Sequence, residues 1–397
     1  MPQNLEKLKN TVCHWIDKSY DKFTSLAKKI YEEPELGFEE VKAAQWLTEI
    51  LEKYGYIIEM GIADLKTAFR ATLPGSSNKP KIALICEYDA LPEIGHGCGH
   101  NLIATASVWA GAALSQLDIE LPGTILIFGT PGEETGGGKV ILVDKHYFDD
   151  IDAAMMFHPS TENRILSSSL AIDALEVTFF GKTAHAAGAP HLGINALDAV
   201  IQTFNGINAL RQHLKDDVRI HGIITDGGKA PNIVPDRAQA RFYLRAKERS
   251  YLDEVVQKFK NICKGAAMMT GATFEIRKFE NSNDNLISNK VIGNFFEKNL
   301  RTLGITDILP FHEGSGSTDM GNVSQIVPSI HPYLAIGSKK LRGHSREFAD
   351  ATISPEGLNT LKIAAKALAM TVLDLLYNPD QLKKAKMELD AKICSAK

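Results

Sequence analysis

Residues 95–100 read GHGCGH, a thiol between imidazoles with glycine filling the gaps. Such a set suits a reactive cysteine, a stray loop or a metal site. A catalytic cysteine needs a base and an orienting group close in space, and His100, two residues from Cys98, does not by itself supply them. A zinc deaminase needs P-C-x-x-C after its H-x-E element, and the chain contains no C-x-x-C. A metal site gains support downstream. Glu133 and Glu134 follow TILIFGTPG, His158 follows AAMMF, and His344 follows IHPYLAIGSKKLRG. Each group comes after an apolar run, and ligands at strand ends can converge on one edge of a sheet. In extended backbone adjacent side chains point to opposite sides, so one glutamate can bind a cation while its neighbour aims at a water beside it. Cys98 and His100, two apart across Gly99, fall on the same side. Thiolate is soft and imidazole borderline, which favours zinc, while the carboxylates also admit manganese or cobalt.

Taken singly, these residues have plainer readings. A Glu-Glu pair is usually a solvated loop, and a strand-end histidine is as often a hydrogen-bonded structural residue as a ligand. The stretch TGGGKV resembles a phosphate loop only superficially, because Glu133 and Glu134 precede it and Val140 stands where Ser or Thr is needed. The joint occurrence of C-G-H, E-E, F-H-P and G-H-S, in that order, is what points to a metal.

Elements able to position these groups are legible in the hydrophobic pattern. KIALIC, TILIFGT, AAMMFHP and IHPYLAIG are short apolar runs of the kind found in buried strands. GFEEVKAAQWLTEILEKYGY has Phe38, Val41, Trp46, Leu47, Ile50 and Leu51 at helical spacing, with Gly55 as its stop. Helices alternating with strands predict an α/β fold. From Ala174 the order becomes β-α-β-β-α-β, that of a ferredoxin-like unit, before the first pattern resumes near Ser288. The chain of 397 residues therefore divides into a first domain over 1–173 and 285–397, interrupted by an inserted domain over 174–284.

Lys and Arg number 44 against 48 Asp and Glu, a formal charge of −4, which lacks the basic footprint of a nucleic-acid binder. The charged N-terminus has no signal-peptide core, and no run reaches the ~18 apolar residues of a membrane span. Five scattered cysteines make a poor disulfide framework, and a cytoplasmic protein is expected.

The stretches PELGFEE, EYDALPEIGHGCGHN, GTPGEETGGGK, FHP, FFGKTAHAA, APNIVPDRAQARFYLRA, GSTDMGNVS and GHSREFA together resemble the M20 metallopeptidase family. The likeness covers about residues 15 to 375 and falls in the amidohydrolase and aminoacylase branch that has cysteine among its ligands, a branch that includes aminobenzoyl-glutamate hydrolases. This resemblance implies a Zn-peptidase-like catalytic domain with a central mixed sheet and an inserted lid through which the chain forms a homodimer. It implies two divalent metal ions held by Cys98, His100, Glu134, His158 and His344, with Cys98 bridging and Glu133 as general base. It also implies that His185 and Asn232 polarise the scissile carbonyl and that Asp89 orients a ligand histidine. Asn101 stands where much of the wider branch has aspartate. Arg245 is left outside the expected site.

The expected activity is hydrolysis of an amide in a dipeptide, an N-acyl amino acid or an aminobenzoyl-glutamate. A catalytically silent metal-binding relative and a protein with one closed structural zinc are the alternatives. An intact Glu133 argues against the first and surplus ligands against the second.

Overall fold

The computed structural model describes residues 3–314 and 316–395; the chain ends included in the sequence-based domain limits, 1–2 and 396–397, lie outside the described residues. Two units are separated by their internal contacts. One runs through Ser168 and resumes over Leu286–Gly314 and Thr318–Ser395, and the other comprises Ser169–Asn285 with Gly316 and Ser317.

The first unit is built on a six-stranded mixed sheet in the order Ile57–Met60, Phe69–Leu73, Thr124–Gly129, Lys81–Cys86, Ala153–Met155 and Ser329–Ile330. The first three pair antiparallel and the remaining pairs are parallel. Its apolar runs are continuous because both faces are covered. Ile82, Leu84, Cys86, Ile125 and Ile127 enter one core, while Ala83, Ile85, Leu126 and Phe128 enter the other.

The helix His100–Leu114 is buried at every position, which its composition of small and apolar residues permits. Its entry is tight. A Cβ on Gly99, whose φ is +76°, would stand 2.4 Å from Pro159 Cγ, so only glycine fits there.

AAMMFHP and IHPYLAIG each yield two short strands rather than one. Ser329–Ile330 pairs with Ala153–Met155, then Tyr333–Ala335 pairs with His158–Ser160 in a separate four-stranded sheet. Pro332, which has no N–H to donate, lies at the break in the second run.

The amphipathic helix read from Phe38 onward begins at Val41 and ends at Lys53. Phe38 has φ +67° and cannot belong to a right-handed helix, and Val41 is 61% exposed. Its end is as expected. Gly55 has φ +84°, with Gly55 N–H donating to Glu52 O at 2.9 Å and Tyr56 N–H to Leu51 O at 3.0 Å.

The second unit has the order β-α-β-β-α-β: Ala171–Phe180, Ala196–Leu210, Arg219–Asp226, Arg237–Ala246, Arg249–Thr270 and Thr273–Lys278. Its strands form one antiparallel sheet in the order Arg219–Asp226, Arg237–Ala246, Ala171–Phe180, Thr273–Lys278. Ala238, Ala240, Phe242 and Leu244 alternate into the core with Leu175, Val177 and Phe179, under the two helices. Residues between them, such as Arg241, Tyr243 and Arg245, occupy the opposite face.

Candidate metal centre

The strand Lys81–Cys86 leads directly into Glu87 and Asp89, and the strand Thr124–Gly129 leads into Glu133 and Glu134. Parallel pairing puts Cys86 beside Gly129, so both acidic segments leave the sheet at the same edge. His100 opens the buried helix. His158 starts its own strand, and His344 N–H donates to the Gly97 carbonyl at 3.0 Å, tying the late histidine to the GHGCGH loop. His344 has φ +60°, in the left-handed region.

Three sets of donors gather within 4.8 Å of one another: Cys98, His100 and His158; Cys98, Glu134 and His344; His100, Glu133 and Glu134. Each is suited to a cation. His100 Nδ1–H donates to Asp89 Oδ1 at 2.8 Å, and Asp89 Oδ2 accepts the Glu134 N–H at 2.9 Å. That bond turns His100 Nε2 toward Glu134 Oε1, 4.0 Å away. Neither atom has a hydrogen-bond partner among the described residues although both are buried, and orphaned donors of this kind fit a metal ion. His158 Nδ1–H donates to the Pro159 carbonyl at 2.7 Å, which frees Nε2. Glu134 Oε1 also lies 3.8 Å from His344 Nε2.

Charges around the cluster are strongly perturbed. Burial, reinforced by the Glu87, Glu134 and Asp319 carboxylates, holds the Glu133 carboxyl well above its usual range. Burial and then Glu134 push the Cys98 thiol up, so the crowd of acids favours a cation able to displace the thiol proton. Burial, with His331 and His100 nearby, drops His158 to about 3, leaving a neutral imidazole with a free lone pair. Burial opposes charge on His100 too, but Asp89 and Glu87 outweigh it and raise that imidazole.

Three charged residues near the centre were not singled out by the sequence reading. Lys139 Nζ lies 2.7 Å from Glu87 Oε1 and 2.6 Å from Asp319 Oδ1, and the side chains of all three are at most 1% exposed. Lys139 N–H donates to Asp319 Oδ2 at 3.0 Å, while Glu87 Oε2 approaches His100 Nε2 to 3.6 Å. Lys139 ends the very TGGGK stretch considered for phosphate, Glu87 opens the Asp89 segment, and Asp319 lies in GSTDMGNVS. Their proximity in the fold is the signal that sequence spacing lacks. His331 and Tyr333 add rings 5.3 Å from that of His158. Asn101 is buried, its amide donating to Thr352 Oγ1 at 3.0 Å, so it serves packing between helices.

His185 and Asn232 belong to the second unit, where both are exposed. They are neighbours there: His185 bridges to Ile233 and Ala186 N–H donates to the Asn232 carbonyl at 3.0 Å. His185 Nδ1 accepts the Gly188 N–H at 3.0 Å, which leaves Nε2 outward. Arg245, in the same unit, donates to Ser317 Oγ at 3.0 Å.

One unit has a mixed sheet and clustered thiol, imidazole and carboxylate donors able to hold a metal ion, and the unit inserted in its sequence is ferredoxin-like. The family description "Peptidase dimerisation domain" matches residues 171–268. Xaa-Arg dipeptidase of Mus musculus is 38% identical over 405 residues, spanning 98% of this chain and 94% of that protein. A p-aminobenzoyl-glutamate hydrolase polypeptide of Escherichia coli is 34% identical over 310 residues, spanning 73% of this chain and 64% of that protein. Among solved structures, an aminobenzoyl-glutamate utilization protein from Klebsiella pneumoniae superposes with a TM-score of 0.74 at 19% identity, covering 91% and 97% of the two chains. A dinuclear metal-binding peptidase of Bacillus subtilis gives 0.69 at 19% identity, covering 90% and 99%. The chain belongs to the M20 peptidase family of metal-dependent peptidases and amidohydrolases. Among the described residues no helix is long and apolar enough to cross a membrane.

Proposed function

We propose that Cys98, His100, Glu134, His158 and His344 would hold two divalent cations, and that Glu133 is the general base of amide hydrolysis. The observation that carries this reading is the sharing of donors: Cys98, His100 and Glu134 each belong to two of the three sets. A closed structural site needs four ligands and no sharing, so neighbouring ions explain the arrangement better. Zinc suits the thiolate and imidazoles, and manganese or cobalt suits the carboxylates.

When bound, the cations supply Lewis acidity and lower the pKa of water to about 7. Glu133 takes the proton of the attacking water and returns it to the departing amine nitrogen. Asp89 holds the tautomer of His100. His185 and Asn232 donate to the carbonyl oxygen as it gains charge, an effect worth ~3–4 kcal/mol per donor. Asn232 supplies its side-chain amide.

The substrate is a dipeptide with a basic residue, an N-acyl amino acid or an aminobenzoyl-glutamate, in keeping with the similar proteins. Assembly as a homodimer through the second unit is in keeping with its match to a dimerisation domain. Five unpaired cysteines suit a reducing, cytoplasmic setting.

Glu133→Gln tests the reading. The variant should keep about two metal ions per chain, measured by elemental analysis, while kcat on a panel of dipeptides and acyl amino acids falls by at least ~10³-fold. Retained turnover removes Glu133 from the role, and a parent protein with two ions and no turnover on any substrate favours the silent relative.

A further inference from the structure

PELGFEE, residues 34–40, supplies no donor to the cluster, yet it touches the loops that present Asp89 and the paired glutamates. Glu40 is fully buried, with Oε1 accepting the Gly132 N–H at 2.8 Å and Oε2 accepting from Thr67 Oγ1 at 2.9 Å. Phe38 departs into the left-handed region, and its ring lies against two glycines of the same loop. A Cβ added to Gly132 or Gly136 would meet Phe38 ring carbons at 2.7 or 2.6 Å. Gly37 is equally close: a Cβ there would stand 2.9 Å from Gly132 Cα. On its other side the segment accepts the Ala90 N–H at the Glu35 carbonyl, 2.9 Å away. The Glu35 carboxylate takes the N–H groups of Lys42 and Ala43 at 3.0 and 2.9 Å, fastening the stretch to the helix Val41–Lys53.

These contacts meet a loop held internally by two backbone bonds, from the Gly136 and Gly137 N–H groups to the Gly132 carbonyl at 3.0 and 2.8 Å. Gly132, Gly136, Gly137 and Gly138 give residues 130–138 little side-chain packing of their own. An unfavourable backbone angle such as that of Phe38 persists only where the surroundings enforce it.

We propose that residues 34–40 clamp this loop, and that Glu40 is a positioning residue that sets, through the Gly132 amide, where Glu133 and Glu134 are presented. The proposal rests on the reading of Glu133 as the base. A displacement of about 1 Å in a reacting group costs on the order of 100-fold in rate, so a hydrogen bond one residue from the base is well placed to govern turnover.

Glu40→Ala, Glu40→Gln, Phe38→Leu and Glu133→Gln decide the matter, each measured by circular dichroism, kcat, KM and hydrogen exchange of the Gly132 amide. Glu40→Ala should exchange that amide at least ~10-fold faster and lose ~10–100-fold in kcat with KM within about threefold. Glu40→Gln keeps a carbonyl acceptor and should restore both to within about fivefold of the parent. Phe38→Leu, which leaves every Glu40 bond in place, should still speed exchange and lower kcat if Glu40→Ala does not fold. Parent-like exchange and kcat in folded Glu40→Ala, or in Phe38→Leu where Glu40→Ala does not fold, overturn the clamp, as does a Glu40→Gln no better than the alanine. Turnover by Glu133→Gln overturns the base reading instead, and amide exchange then still judges the clamp.

Discussion

Glu40 shows how far a single side chain can depart from what its type implies. Burial, and then the charge of Asp89, push its carboxyl up from 4.5 to about 7. The folded chain therefore keeps a proton there that the unfolded chain releases near 4.5, so stability is fully present below that value and is lost as pH rises through about 7. Glu40→Gln removes this dependence while retaining an acceptor for Gly132. Chemical denaturation should find the variant more stable than the parent by ~1–3 kcal/mol at pH 8 and little different near pH 4. A difference that does not change with pH contradicts the assignment. The clustered residues were legible as residue types: Cys98, His100, the two glutamates, His158 and His344 each follow an apolar run. Glu40 was not, because a glutamate beside another glutamate ahead of a helix reads as a solvated helix start.

Among elements, the central strands were readable for a physical reason: with both faces covered, their apolar runs are unbroken. The helix start was displaced because periodicity registers Phe38 and Val41 as apolar and is blind to backbone handedness. Lys139 was missed for a related reason. A lysine after three glycines reads as loop, and its partners Glu87 and Asp319 lie 52 and 180 positions away in sequence, at the end of a strand and the start of a short helix. It joins these elements beneath the cluster. Lys139→Met leaves both carboxylates buried and unpaired, and thermal or denaturant unfolding of the metal-free protein should show a loss of about 3–5 kcal/mol. A loss below about 1 kcal/mol would show that water or rearrangement satisfies them.

On the scale of the whole molecule, one unit carries every proposed metal ligand and the other carries His185 and Asn232. Metal binding and carbonyl polarisation are then separable by mutation. His185→Ala should keep its metal and its melting temperature while kcat drops by ~10²–10³-fold, and concurrent metal loss contradicts that division. The β-α-β-β-α-β order of the inserted unit was legible because its sheet is covered on one face and the strand Arg237–Ala246 alternates. What either unit contributes to a substrate pocket was not, since pocket walls depend on side chains brought together from separate elements.

The claim on which the rest depends is that these donors hold a pair of ions. Anomalous scattering from crystals grown with zinc measures it directly. Two peaks should flank the Cys98 sulfur, one reached by His158 and the other by His344. A single peak enclosed by four ligands, or zinc bound away from residues 98, 100, 134, 158 and 344, contradicts the account.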